Sequence, residues 1–197
     1  MKFSIEEEYL REVDQKLKKI IDKNGHIVFE PNKNNQFDTL VNIIISQFIS
    51  TKAAKSIFNN FKNSFNTNFL QPLDFQNLST LEIKKLGLST NKARSIKGLS
   101  ELFIDQQLND LNILSRENLH KNLLSVFGLG DWSVRMFEIF SLGRLDIFSG
   151  KDAGLRRAMN NLEMIKPESD ESIYESYSEK WSPYRTVASL HLWKTVD

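Results

Sequence analysis

Glycines at alternate positions interrupt an otherwise apolar stretch, Leu123-Leu124-Ser125-Val126-Phe127-Gly128-Leu129-Gly130-Asp131-Trp132-Ser133-Val134. Glycine admits φ > 0 and lets a second backbone come close. A Gly128-Leu129-Gly130 turn ahead of a helix start can therefore aim the amides of Gly128, Gly130 and Asp131 at one point, which suits a phosphate oxygen. Taken alone, the same residues also spell a simpler arrangement: a glycine helix stop followed by a new helix. Further along, Ser149-x-x-Asp152 fits a helix capping box, with Asp152 favoured by the positive end of the helix dipole. Lys151 beside it reads as a solvated side chain or a phosphate contact. His26, His120 and His191 lie scattered without the spacing of metal ligands.

Helices must position these residues. Leu10, Val13, Leu17, Ile20 and Ile21 recur at three- and four-residue spacing, which predicts one amphipathic helix from Glu6 to Asp22, stopped by Asn24-Gly25. The polar run Pro31–Gln36 reads as a loop. A second helix follows from Phe37 through Leu40, Val41, Ile43, Ile44 and Ile45; it is apolar on most sides and should be central. Further helices are expected over Lys52–Phe65, Thr80–Leu86, Asn91–Asp105, Arg116–Phe127, Asp131–Leu142, Asp152–Leu162 and Glu168–Glu179, with a last one from Pro183. No sustained period-two alternation marks a strand, and no repeat or low-complexity tract is present. The reading is all-α.

Composition bounds the function. With 197 residues the chain can bury a core as one domain or two packed lobes. It has no cysteine, hence no disulfide and no cysteine-bound zinc or iron–sulfur cluster. No apolar run reaches membrane-spanning length, and the opening MKFSIEEEYLREVDQ is too acidic and too interrupted for a secretory signal; the absence of cysteine is compatible with a reducing, intracellular setting, which is the expectation. The net charge of +1 gives little general attraction for nucleic acid; any binding to DNA must come from a local face and backbone donors.

Three ordered blocks carry a resemblance. The first is Phe37-Asp38-Thr39-Leu40 with Ile45-Ser46-Gln47-Phe48-Ile49-Ser50-Thr51-Lys52-Ala53-Ala54. The second joins the glycine turn to Leu142-Gly143-Arg144-Leu145-Asp146-Ile147-Phe148-Ser149-Gly150-Lys151-Asp152-Ala153-Gly154-Leu155-Arg156-Arg157. The third is Trp181-Ser182-Pro183-Tyr184-Arg185 with Leu192-Trp193. Together they resemble the helix-hairpin-helix DNA glycosylase superfamily, and within it the 3-methyladenine DNA glycosylase II family.

The resemblance implies a single domain, 1–197, of two helical lobes with the active cleft between them: lobe one 1–36 plus 146–197, lobe two 37–145. It implies a monofunctional glycosylase that flips a damaged, alkylated purine from duplex DNA and hydrolyses its N-glycosidic bond. Asp152 takes the place of the catalytic carboxylate, against the capping role that its own segment also allows. Gly128, Leu129, Gly130 and Asp131 take that of the phosphate-binding hairpin. Gln47 and Phe48 match the DNA wedge, Phe48 reading otherwise as core. Trp132, Met136 and Trp193 match the base pocket, and both tryptophans also read as core aromatics. Superfamily members that also cleave the backbone carry a lysine where this chain has Trp132, so no Schiff base can form there. Met136, where some members have tyrosine, and Ser149-Gly150-Lys151, where a proline is more usual, leave the lesion range open. No organic cofactor or metal is implied, apart from a monovalent cation that relatives hold on hairpin carbonyls. The implied partner is double-stranded DNA with a damaged base, bound by a monomer with no membrane and no dedicated protein partner. A glycosylase for a different lesion, or a non-catalytic helix-hairpin-helix DNA-binding module, are the alternatives.

Overall fold

The structure is a computed structural model that describes residues 1–106, 108 and 110–196. Among the described residues it is helical throughout, with a single isolated bridge between Lys2 and Val28. The helices are α1 (Ser4–Val13), α2 (Gln15–Asn24), α3 (Gln36–Ser46), α4 (Thr51–Ser64), α5 (Thr80–Lys85), α6 (Thr90–Asp105), α7 (Arg116–Leu124), α8 (Asp131–Phe140), α9 (Ala153–Asn161), α10 (Glu171–Ser178) and α11 (Arg185–Trp193). Two compact units divide the chain, Met1–Pro31 with Gly143–Asp197, and Asn32–Leu142.

In the first unit, α1, α2, α9 and α11 enclose Leu10, Leu17, Ile21, Leu155, Tyr174, Trp181 and Leu192. The expected single helix from Glu6 to Asp22 is two. Asp14, in extended backbone (φ −145°, ψ 105°), ends α1 and caps α2, accepting from the amides of Lys16 at 2.9 Å and Leu17 at 3.2 Å. Its other carboxylate oxygen takes the indole N–H of Trp181 at 2.9 Å and the Lys180 ammonium at 3.0 Å. Burial would push this carboxyl up, but the hydrogen bonds from Lys180, Trp181 and Leu17 outweigh it and hold the pKa below its ordinary value. Val13 and Leu17 keep helical spacing across the break, so periodicity alone could not show it. Gly25 ends α2 with φ 66°, as the Asn-Gly pair predicts.

In the second unit, α3 is central and buried on most of its sides. Its Phe37 belongs to an aromatic group with Phe61, Phe65, Phe75 and Phe103, whose neighbouring ring centroids lie 4.9–5.8 Å apart. Buried Asp38 accepts from the Leu70 amide at 2.9 Å, with Lys62 at 3.8 Å; burial dominates and raises its pKa. At the far end of α3, Lys92 donates to the Ile45 carbonyl at 2.7 Å, placing a cation at the negative end of the helix. Desolvation lowers the pKa of this ammonium.

Several helix ends differ from expectation. α7 stops at Leu124 because the glycine turn begins earlier than Phe127, and α8 stops at Phe140. α10 starts only at Glu171, since Glu168 has φ 65° and Asp170 is extended. α11 starts at Arg185, after the 3-10 turn Glu179–Trp181. Among the described residues no helix is long and apolar enough to cross a membrane.

Candidate active site and nucleic-acid interface

Asp152 stands at the start of α9 as the N-cap itself, not as the third helical residue of a box opened by Ser149. Its Oδ1 accepts from the Leu155 amide at 2.8 Å, and its own amide donates to the Ser149 carbonyl at 3.0 Å. The hydroxyl that the capping box required of Ser149 is buried without a hydrogen-bond partner. A second donor reaches Asp152 from outside the helix: the Trp193 indole N–H lies 2.9 Å from Oδ1. The carboxylate is 8% exposed. Lys151 is half in solvent, 3.8 Å from Glu171.

The loop that carries Asp152 is held at several points. Thr186, the second residue of α11, donates its amide to the Leu145 carbonyl and its hydroxyl to the Arg144 carbonyl, and accepts from the Ile147 amide. Arg185 grips Asp146 with two nitrogens at 2.6 and 3.0 Å. Burial would raise the Asp146 pKa, yet the bonds from Arg185 and Ser182 bring it down. Nearer the carboxylate, the Gly150 amide donates to Glu175 at 2.8 Å. Thr186 and Glu175 were not singled out from sequence, because nothing local marks a side chain that satisfies a loop 25 or 39 residues away.

In the second unit, the glycine turn joins α7 to α8. Gly128 has φ 81°, and a Cβ there would collide with the Ser95 hydroxyl of α6. Gly130 is the N-cap of α8, with open space where a Cβ would be. Leu129 is buried, its amide given to Val126 O at 3.1 Å. Asp131, first residue of α8, is paired with Arg135 at 2.8 Å. The turn thus offers the start of a helix, whose first amides lack intrahelical acceptors, beside a glycine with nothing above it. Of the turn's carbonyls, Val126 O accepts from the Leu129 amide and Gly128 O accepts from Gln47 at 3.0 Å.

The pair after α3 divides its roles. Gln47 is a clamp: its side-chain amide also donates to the Ser133 hydroxyl at 3.0 Å, tying the end of α3 to the turn and to α8. Phe48 is fully exposed in left-handed backbone, φ 60°, so it is not the core phenylalanine its type also allowed. Beside the turn, the Arg94 guanidinium lies 4.0 Å from the centre of the Phe127 ring.

A glycine turn that opens a helix, and a capped aspartate at the head of another, occur in a chain whose residues 41–183 match the model of the HhH-GPD superfamily of base excision DNA repair proteins. The chain belongs to that superfamily. DNA-3-methyladenine glycosylase 1 of Schizosaccharomyces pombe is 30% identical over 195 residues, covering 95% of this chain and 85% of that protein. The solved structure of the S. pombe 3-methyladenine DNA glycosylase in complex with abasic DNA has a TM-score of 0.86 and 29% identity, covering 98% and 96% of the two chains. A DNA-3-methyladenine glycosidase structure from Bacillus halodurans gives 0.77 and 30%, covering 99% and 91%.

Set out as a member of the HhH-GPD superfamily, the chain distributes its expected site residues between the two units. Gln47, Phe48, Gly128, Leu129, Gly130, Asp131, Trp132 and Met136 belong to the second, and Asp152 with Trp193 to the first. Within the second, Gln47 ties the end of α3 to the hairpin. Trp132 and Met136 share one face of α8 at i, i+4 spacing, Trp132 partly exposed and Met136 buried. Within the first, Trp193 and Asp152 meet directly. Gly154, which no local signal in the sequence marks, is the floor on which that meeting happens: a Cβ there would lie 3.1 Å from both Asp152 Oδ1 and Trp193 Cδ1. Among the described residues no group of three or more potential metal ligands occurs.

Proposed function

We propose that this protein is a DNA glycosylase that hydrolyses the N-glycosidic bond of alkylated purines of the 3-methyladenine kind in duplex DNA, the first step of base excision repair. One observation supports it most: a nearly buried carboxylate, Asp152, held on one oxygen by two N–H donors at 2.8 and 2.9 Å, at the residue that the sequence blocks match to the family's catalytic aspartate. The damaged nucleotide is flipped out, and Phe48 enters the stack it leaves. As the bond from C1′ to the base breaks, the electron pair leaves with the base and neutralises a cationic alkylpurine. Positive charge builds on the sugar, where a fixed carboxylate is worth most. Water bonds to C1′ and passes its proton to the Asp152 carboxylate or to solvent, leaving an abasic site. Trp132 and Trp193 offer aromatic faces that suit a cationic base, with Met136 behind. The chemistry calls for no organic cofactor and routes no step through a metal.

Trp132 has no amine, so the enzyme is read as monofunctional. Borohydride should trap no covalent adduct between wild type and damaged DNA; a trapped adduct would overturn this part. The main test is single-turnover base release by wild type and Asp152→Asn, on alkylated DNA and on a slow-leaving base such as hypoxanthine. Asparagine still caps α9, so folding should persist while release falls by roughly 10²-fold or more. Release at the wild-type rate on every accepted substrate would remove Asp152 from the chemistry.

A further inference from the structure

We infer that Trp193 is a positioning residue, whose indole N–H fixes the Asp152 carboxylate before DNA binds. The inference rests on the reading of Asp152 as the carboxylate that meets the sugar. Capping α9 needs one donor, and Leu155 in the first turn of α9 already supplies it at 2.8 Å. The second donor comes from the last residue of α11, 41 positions later, and lands at 2.9 Å on the same oxygen, Oδ1. Both donors are N–H groups with no acceptor capacity, so each holds a negative oxygen in one orientation. A stacking face alone needs only some acceptor for its N–H; here the acceptor is the oxygen that already caps α9.

The seat of the ring supports the same role. Gly154, in the first turn of α9, lets the indole edge come down on the helix: a Cβ at that position would be 3.1 Å from Trp193 Cδ1 and 3.3 Å from Nε1. α11 therefore holds the catalytic loop at both ends. Its start binds residues 144–147 through Thr186 and Arg185, and its end binds Asp152 through Trp193. A rigid helix with two grips is what a fixed carboxylate requires.

Four measurements test this. The indole N–H resonance of Trp193, assigned with Trp193→Phe, should move upfield and exchange faster in Asp152→Ala; no change overturns the inference. Trp193→Phe keeps a ring and removes the donor, so single-turnover release should fall about tenfold or more, while affinity for a duplex that presents a damaged base on a non-cleavable 2′-fluorinated sugar stays within about twofold. The reverse pattern, weaker binding and unchanged release, would make Trp193 a stacking face only. In Asp152→Asn/Trp193→Phe, release should be no slower than in Asp152→Asn alone, because Trp193 acts through that carboxylate; independent losses overturn the inference while leaving Asp152 catalytic. Failure of the underlying reading looks different, since Asp152→Asn would then release base normally. Gly154→Ala gives a check free of the indole's own chemistry. It favours the helix but crowds the contact, so release should fall in a protein at least as helical as wild type.

Discussion

Phe48 concentrates at one residue two features that the free protein has no reason to keep. Its ring is wholly in water, and its φ of 60° is in the left-handed region that a side chain with a Cβ disfavours by about 1–2 kcal/mol. Both make sense if the ring is buried elsewhere, in the gap of a DNA stack. Phe48→Gly should therefore leave stability unchanged or raise it by roughly 1 kcal/mol, measured by urea unfolding. It should also weaken binding to a duplex carrying an abasic-site analogue by tenfold or more, since an aromatic stack on a base is worth about 1–3 kcal/mol. Loss of stability with affinity retained would make Phe48 a structural residue. Its neighbour Gln47 instead donates to Gly128 O and to the Ser133 hydroxyl, tying the end of α3 to the hairpin.

At the scale of elements, the two hairpin glycines do different work, and substitutions should separate them. Gly128 needs its positive φ and the room that Ser95 would otherwise contest. Gly128→Ala should thus cost about 1–3 kcal/mol in urea unfolding. Gly130 lies in ordinary extended backbone (φ −110°, ψ 179°) with open space beyond its Cα. Gly130→Val should fold normally, yet stand in the way of a phosphate and weaken DNA binding alike for every sequence, as expected of a backbone contact. Anisotropy titrations on two unrelated duplexes would show it; a folded Gly130→Val protein that binds like wild type would mean the hairpin is not the anchor.

Over the whole molecule, pH should bear on the first unit through a buried pair. Glu7 of α1 is fully buried and takes the Ile27 amide at 3.0 Å, His26 at 2.5 Å and His191 of α11 at 3.3 Å. His191 is buried too, its second ring nitrogen facing the Asn24 amide. Burial above all, with Lys194 and Arg11 adding to it against the pull of Glu7, lowers the His191 pKa from 6.5 to about 4. An unfolded chain then binds a proton that the native state refuses between those values. Stability is fully present above 6.5 and falls as pH drops towards 4, by up to roughly 3 kcal/mol from this group. Burial works against ionised Glu7, but the hydrogen bonds from Ile27 and His26 outweigh it and lower its pKa, so its contribution is lost in the same direction, below about 4.5. The urea midpoint should fall from pH 7 to pH 4.5, and less so in His191→Gln. An equal fall in both proteins would take His191 out of the account.

The sequence by itself determined most of the helices, because three- and four-residue spacing is a local property, and it placed the turn at Gly128-x-Gly130 and Asp152 at the head of a helix. It also determined that no lysine stands at position 132. What it could not carry were contacts between residues distant in the chain. Asp14 breaks a helix whose apolar spacing runs on unbroken, and its partner Trp181 lies 167 positions away. Gln47 and Phe48 are adjacent in the chain, yet one closes the hairpin and the other projects into solvent. Trp193 matched a base-pocket aromatic, but only the packing of α11 against α9 put its N–H on the catalytic candidate. Periodicity encodes which face of a helix is buried; which donor then finds which acceptor is decided when the faces meet.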